Sequence, residues 1–131
     1  MRYVLLAFDD GQAPLTDVER AAHAVDEAAL HAEVADRGLM VHGEVLAEAD
    51  MATTVRIRNG QVEILDHPYG AMTEQLNAVW IIDVPDLDVA LDLAGRCPIA
   101  RTGSVEVRPV SSGLWRTSTR SIVRNGRGWL P

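Results

Sequence analysis

Lysine is absent from the 131 residues, and cysteine occurs once, at Cys97. A single thiol excludes an internal disulfide and supports no cysteine-rich metal site. Long apolar runs are missing as well. None approaches the roughly 18–20 residues that a membrane-crossing helix needs. The opening run MRYVLLAF is short and is stopped by Asp9-Asp10. It is expected to be a first strand rather than a secretory leader, in a cytoplasmic protein. Positive charge is scarce: twelve arginines stand against nineteen carboxylates, a net charge of −7. That balance argues against general nucleic-acid binding. It is also uneven. Residues 111–131 hold Arg116, Arg120, Arg124 and Arg127 and no acid, while the first 110 residues carry a balance of −11.

What is present suits a folded domain. Apolar residues make up 47% of the chain, and a chain of this length buries about two-thirds of its unfolded surface. One domain is expected over 1–110, followed by a basic extension over 111–131 that carries Trp115 and Trp129.

The most legible stretch is TTVRIRNGQVEIL, residues 53–65. Thr53, Val55 and Ile57 alternate with Thr54, Arg56 and Arg58, the period of a strand. Asn59-Gly60 tolerates the positive φ angles of a two-residue hairpin turn. The turn fixes the register: Arg58 opposite Gln61, Ile57 opposite Val62, Arg56 opposite Glu63, Val55 opposite Ile64. Slipping by one would set Ile57 against Glu63.

Around the hairpin the chain alternates strands and helices. Tyr3–Phe8 and Ala78–Val84 are apolar on both faces, as central strands are. Thr16 with Glu19 forms a capping-box signature for a helix running to about Arg37, with Gly38 as its stop. Leu15, Val18, Ala22, Val25, Ala29, Ala32 and Val34 are its expected buried stripe. Leu39–Leu46 reads as a strand with Met40, His42, Glu44 and Leu46 on one face. Asp86 or Asp88 starts a second helix with Leu87, Ala90, Leu91 and Ala94 buried, closed by Gly95 and Pro98. Ser104–Val110 contains Pro109 and so belongs at a sheet edge. Taking the hairpin as an added extension of the second strand gives βαββαβ, a ferredoxin-like α+β fold. Two helices cover one sheet face. The other, with Met40 and Trp80 or Ile81, is expected to be covered by a second subunit.

Four segments resemble the YCII-related family, in its DGPF branch: MRYVLLAF, ATTVRIRNGQV, DHPYGAMTEQL, and DLDVALDLAGRCPIARTGSVEVRPV. The third stands where that branch has D-G-P-F-x-E-T-K-E-Q-L. Asp66, Pro68, Glu74, Gln75 and Leu76 match it, while His67, Tyr69, Ala71 and Thr73 depart from it. The resemblance implies a homodimer packed sheet to sheet as a dimeric α+β barrel, with a cleft near the motif. It also implies, from a few relatives, cofactor-independent chemistry on small ring compounds. The YCII branch carries a His–Asp pair whose positions fall near Asp26 and on Cys97, so that pair is not retained here.

The candidate site residues each have two readings. Asp66 is a general base, or a turn residue capping backbone N–H groups before Pro68. His67 is its partner in proton transfer, or a surface histidine, since neighbours on an extended chain diverge. Tyr69 donates a hydrogen bond to a substrate oxygen, or is a buried aromatic with a satisfied hydroxyl. His42 and Glu44, at i, i+2 on one strand face, are an acid–base pair facing the barrel interior, or an interface pair. His23 and His31 are expected in solvent, and Cys97 as a buried inert thiol. No metal is expected, because the sequence points to no third ligand beside His42 and Glu44, and the family resemblance implies no cofactor. The expected function is a cofactor-independent lyase, isomerase or cyclase acting on a cyclic organic molecule, with Asp66, His42, His67 and Tyr69 supplying proton transfer and orientation. The alternative is a non-catalytic ligand-binding or regulatory protein. Nucleic acid and membrane are not expected partners.

Overall fold

The computed structural model describes residues 1–11, 15–69 and 73–111. The Arg- and Trp-bearing extension, apart from Ser111, lies outside the described residues. The elements in chain order are β1 (Arg2–Asp9), α1 (Asp17–Asp36), β2 (Met40–Val45), β3 (Thr54–Arg58), β4 (Gln61–Leu65), β5 (Gln75–Asp83), α2 (Leu87–Arg96) and β6 (Ser104–Pro109). Short 3₁₀ turns occupy Ala49–Met51 and Pro98–Arg101. The main sheet is antiparallel in the order β2-β5-β1-β6, and β3 and β4 pair only with each other. This is a ferredoxin-like α+β fold with a hairpin inserted between its second and third core strands. No described helix is long and apolar enough to cross a membrane.

Local chemistry explains where elements start and stop. Thr16 Oγ1 accepts from the Glu19 amide at 3.1 Å, and Glu19 Oε1 accepts from the Thr16 amide at 3.1 Å. Those bonds hold the Glu19 carboxyl below its ordinary range, the Thr16 backbone donor being the largest cause. Gly38, with φ +67°, takes the left-handed position after Arg37. Asp86 starts α2, its Oδ1 accepting from the Val89 amide at 3.0 Å. The hairpin turn has φ +53° at Asn59 and +75° at Gly60, and all four expected cross-strand pairs form. Arg56 Nε donates to Glu63 Oε2 at 2.6 Å.

Both helices pack on one face of the sheet. Tyr3 and Leu5 of β1 and Trp80, Ile82 and Val84 at β5 meet Leu30 and Val34 of α1 and Ala90, Leu93 and Ala94 of α2. Cys97 completes this core. Arg96 grips Glu33 with two bonds of 2.7 Å, joining the exposed flanks of the helices. The Arg96 guanidinium is the main reason that the Glu33 carboxyl is held below its ordinary range.

The helix stripes differ from the expected ones. Val34 is buried as expected, but Val18 and Val25 are exposed and Leu30 is buried in their place, with His23 and Glu27 half-buried along the same side. An alanine-rich helix gives weak periodicity, and its two large branched residues near the end decide its rotation. In α2, Ala90 and Ala94 are buried as expected and Leu93 is buried with them, while Leu87 and Leu91 are exposed. β5 begins at Gln75, ahead of the Ala78 start expected from its apolar run.

Two β-bulges set the opposite face. Ala7 pairs with Ala78 and Phe8 with Leu76, leaving Asn77 as the extra residue. Met40 pairs with Ile82 and His42 with Ile81, leaving Val41 extra. The second bulge turns Met40 towards the core and separates it from His42 and Glu44, which the plain alternation had placed beside it. Trp80 also faces the helices, and Ile81 faces away. Three rows cross the uncovered face: His42, Ile81, Val4, Arg108; Glu44, Val79, Leu6, Glu106; and Leu76, Phe8, Ser104. Its middle is apolar and its two edges are polar.

Candidate functional site

At the end of the uncovered face that carries Phe8 and Leu76, the chain leaves β2 and crosses to the hairpin. Leu46 still holds the sheet through its amide, which donates to the Asn77 carbonyl at 2.8 Å. The 3₁₀ turn Ala49–Met51 then lies over the end of β5. The hairpin follows, and its exit turn returns to the start of β5. Thr54 Oγ1 donates to the His67 carbonyl at 2.7 Å and ties the hairpin entry to that turn. His67 Nδ1 lies 2.9 Å from the Pro68 carbonyl oxygen, so the ring proton belongs on Nδ1.

These segments enclose an open cleft of about 480 Å³. Phe8, Leu46, Met51, Pro68 and Leu76 give it apolar walls, with Ala47, Ala49 and Ala52 between them. Its polar members are Glu48, Thr54, Tyr69, Glu74 and Gln75. The size and lining suit a small organic molecule: apolar surface for burial and a few polar groups for orientation.

The four residues singled out in the sequence are not gathered at one point. Tyr69 lines the cleft and is 73% exposed. Asp66 and His67 directly precede the lining residue Pro68, are exposed, and are not themselves in the lining. The Asp66 carboxylate has no hydrogen bond or ion pair with a described residue. His42 lies along the uncovered sheet face on the edge strand β2. Its Nε2 is 3.0 Å from Glu44 Oε1, and both side chains are about two-thirds exposed.

The remaining candidates have structural surroundings. The ring of His31 meets Trp80 edge-on, with centroids 4.4 Å apart, and both His23 and His31 are half-buried rather than in solvent. Asp26 is paired with Arg101 at 2.9 Å. Cys97 is buried, and its Sγ donates to the Leu93 carbonyl at 3.4 Å. Burial, with the Glu27 charge as a smaller cause, pushes that thiol up to about 11. An ion pair and a neutral thiol therefore stand where a His–Asp pair would be sought. Among the described residues no group of three or more His, Cys, Asp or Glu could hold a metal ion.

Phe8, Glu48, Met51 and Glu74 line the cleft without having been among the site residues expected from the sequence. Residues 47–51 carry no sequence pattern of a site, and only the fold brings them to one cleft with Phe8. Glu74 carried a signal, since it sits between the exit turn and the first residue of β5.

Comparison with known proteins gives the same frame. The family model described as "YCII-related domain" matches residues 1–113. An uncharacterized protein of Rhizobium meliloti (strain 1021) is 38% identical over 68 residues, covering 50% of this chain and 55% of that protein. The chain thus matches only about half the length of that curated relative.

Proposed function

We propose a function from the premise that the chain belongs to the YCII-related domain family. It is a small-molecule-binding protein that works as a homodimer, with the cleft beside Pro68 and Tyr69 as its ligand site. The observation that carries this reading is the cleft itself: about 480 Å³, apolar-walled, with Tyr69, Glu48 and Glu74 as its orienting groups. Phe8 and Leu76 belong both to the cleft and to the uncovered sheet face. A second copy laid on Val4, Leu6, Val79 and Ile81 would cover that face and help close the cleft, bringing His42 and Glu44 into the same enclosure.

The experiment has two arms. Light scattering on the full chain is expected to give twice 14.3 kDa, and Leu6→Asp on the uncovered face is expected to give one. Calorimetry with neutral bicyclic aromatic alcohols is expected to give binding that Ala49→Trp, which fills the cleft, abolishes. A monomeric wild type removes the dimer, and binding that survives Ala49→Trp removes the site.

Catalysis is the second reading. Its support is that a phenol and two carboxylates share one apolar cleft, with Asp66 and His67 next to it in the chain. The reaction would be a cofactor-independent proton transfer on a cyclic C–H acid: Tyr69 orients a substrate oxygen, and Asp66, His67 or His42 takes the proton. Exchange of a ligand's acidic C–H for deuterium, lost in Tyr69→Phe, is the result that reading expects. Tight binding without exchange leaves the binding function alone.

A further inference from the structure

We propose that the preferred occupants of this cleft are small organic cations on an apolar ring body, the chemistry of an arylalkylamine, selected by Glu48 and Glu74. The inference rests on the ligand-site reading above and adds the class of ligand. The charged side chains among the described lining residues are both carboxylates. None of the eight described arginines lines the cleft. The one nearest in the hairpin sequence, Arg56, is engaged by Glu63 at 2.6 Å.

Neither the Glu48 nor the Glu74 side chain has a hydrogen bond or ion pair with a described residue, and both are exposed. A cation entering here meets two solvated carboxylates without breaking an existing pair. An anion of the same shape meets their repulsion with no described counter-charge in the lining. Phe8 and Tyr69 supply aromatic surface, which attracts a cation through its π face. Leu46, Met51 and Leu76 supply the apolar wall against which the ring body is buried. The same charges bear on the chain's own sequence. Arg116, Arg120, Arg124 and Arg127, beyond Ser111 in the sequence, carry the same charge as the proposed ligand, and the test below includes them.

The test uses the full chain and three shape-matched probes: 1-naphthylmethylamine, 1-naphthylmethanol and 1-naphthoate. Calorimetry is expected to rank them amine, alcohol, carboxylate, with the amine about tenfold tighter than the alcohol at low salt, a gain in keeping with exposed ion pairs and a cation–π contact. The double variant Glu48→Gln, Glu74→Gln is expected to abolish the amine's tenfold advantage over the alcohol. If alcohol or carboxylate binds as tightly as amine, the ligand class is wrong and the site stands. If no probe binds, the site reading itself has failed. If the amine binds only after Arg116, Arg120, Arg124 and Arg127 are all changed to Gln, the cleft belongs to the chain's own arginines and the proposal falls.

Discussion

The helix-covered half of the main sheet and the inserted hairpin use the same kind of residue for opposite ends. In the first, Ile82, Leu93 and Val34 are fully buried. In the second, Val55, Ile57, Val62 and Ile64 form an apolar stripe that is 61–66% exposed. The hairpin's half-buried side is the one with Thr54, Arg56, Glu63 and Leu65. β-Branched residues in an alternating pattern therefore specify a strand in both places, but they report burial in only one. The first region stores the stability of the domain, and the second positions the exit turn that carries Pro68 and Tyr69 to the cleft.

That contrast is open to direct attack. The largest effect is expected at Ile82→Ala, which should cost about 2–5 kcal/mol through lost burial and a cavity. Urea denaturation of the full chain measures it, and a loss below about 1 kcal/mol would deny the core its role. Next comes alkaline pH. The Cys97 thiol titrates at about 11 in the fold against an ordinary 9.0. Its contribution is therefore complete below pH 9 and lost as pH rises from 9 through 11, by up to about 3 kcal/mol. Cys97→Ala should flatten that part of the stability profile, whatever it costs at neutral pH.

A smaller loss is expected at Gly103, which lies against the end of β1. A Cβ added at Gly103 would overlap the carbonyl oxygen of Phe8. Gly103→Ala should thus cost about 1–3 kcal/mol as backbone shifts at the end of β1. It should also weaken binding of a neutral aromatic alcohol, because Phe8 walls the cleft. The smallest effect belongs to the hairpin: Ile64→Ala should change stability by less than about 0.5 kcal/mol, as surface substitutions do. A cost comparable with that of Ile82→Ala would show that the stripe is covered in solution and would erase the contrast.

The sequence made some of this visible and hid the rest for physical reasons. Asn59-Gly60 dictated the hairpin register, because a two-residue turn leaves one pairing that matches Ile57 with Val62 and Arg56 with Glu63. Thr16 with Glu19, and Asp86, marked helix starts because each satisfies backbone donors locally. The rotation of α1 was not legible: Ala22, Ala29 and Ala32 are as comfortable in solvent as against a sheet. The bulge at Val41 was also hidden. It leaves no local trace, yet it decides that Met40 turns to the core while His42 and Glu44 stay outside. The cleft lay furthest from reach, because Phe8, Glu48 and Leu76 converge only through the crossing from β2 to the hairpin. Tyr69 was found from its place after Pro68, and Glu48 was not.

Where a neutral ring compound binds decides whether the cleft is a ligand site. Amide NMR of the full chain, titrated with 1-naphthylmethanol, reads that location residue by residue. The expected result is a set of shifts confined to Phe8, 46–52, Thr54, Tyr69 and 74–76, growing to saturation, with Val55, Ile57, Val62 and Ile64 unmoved. Shifts centred on that hairpin stripe instead, or no saturable shift anywhere, would contradict it.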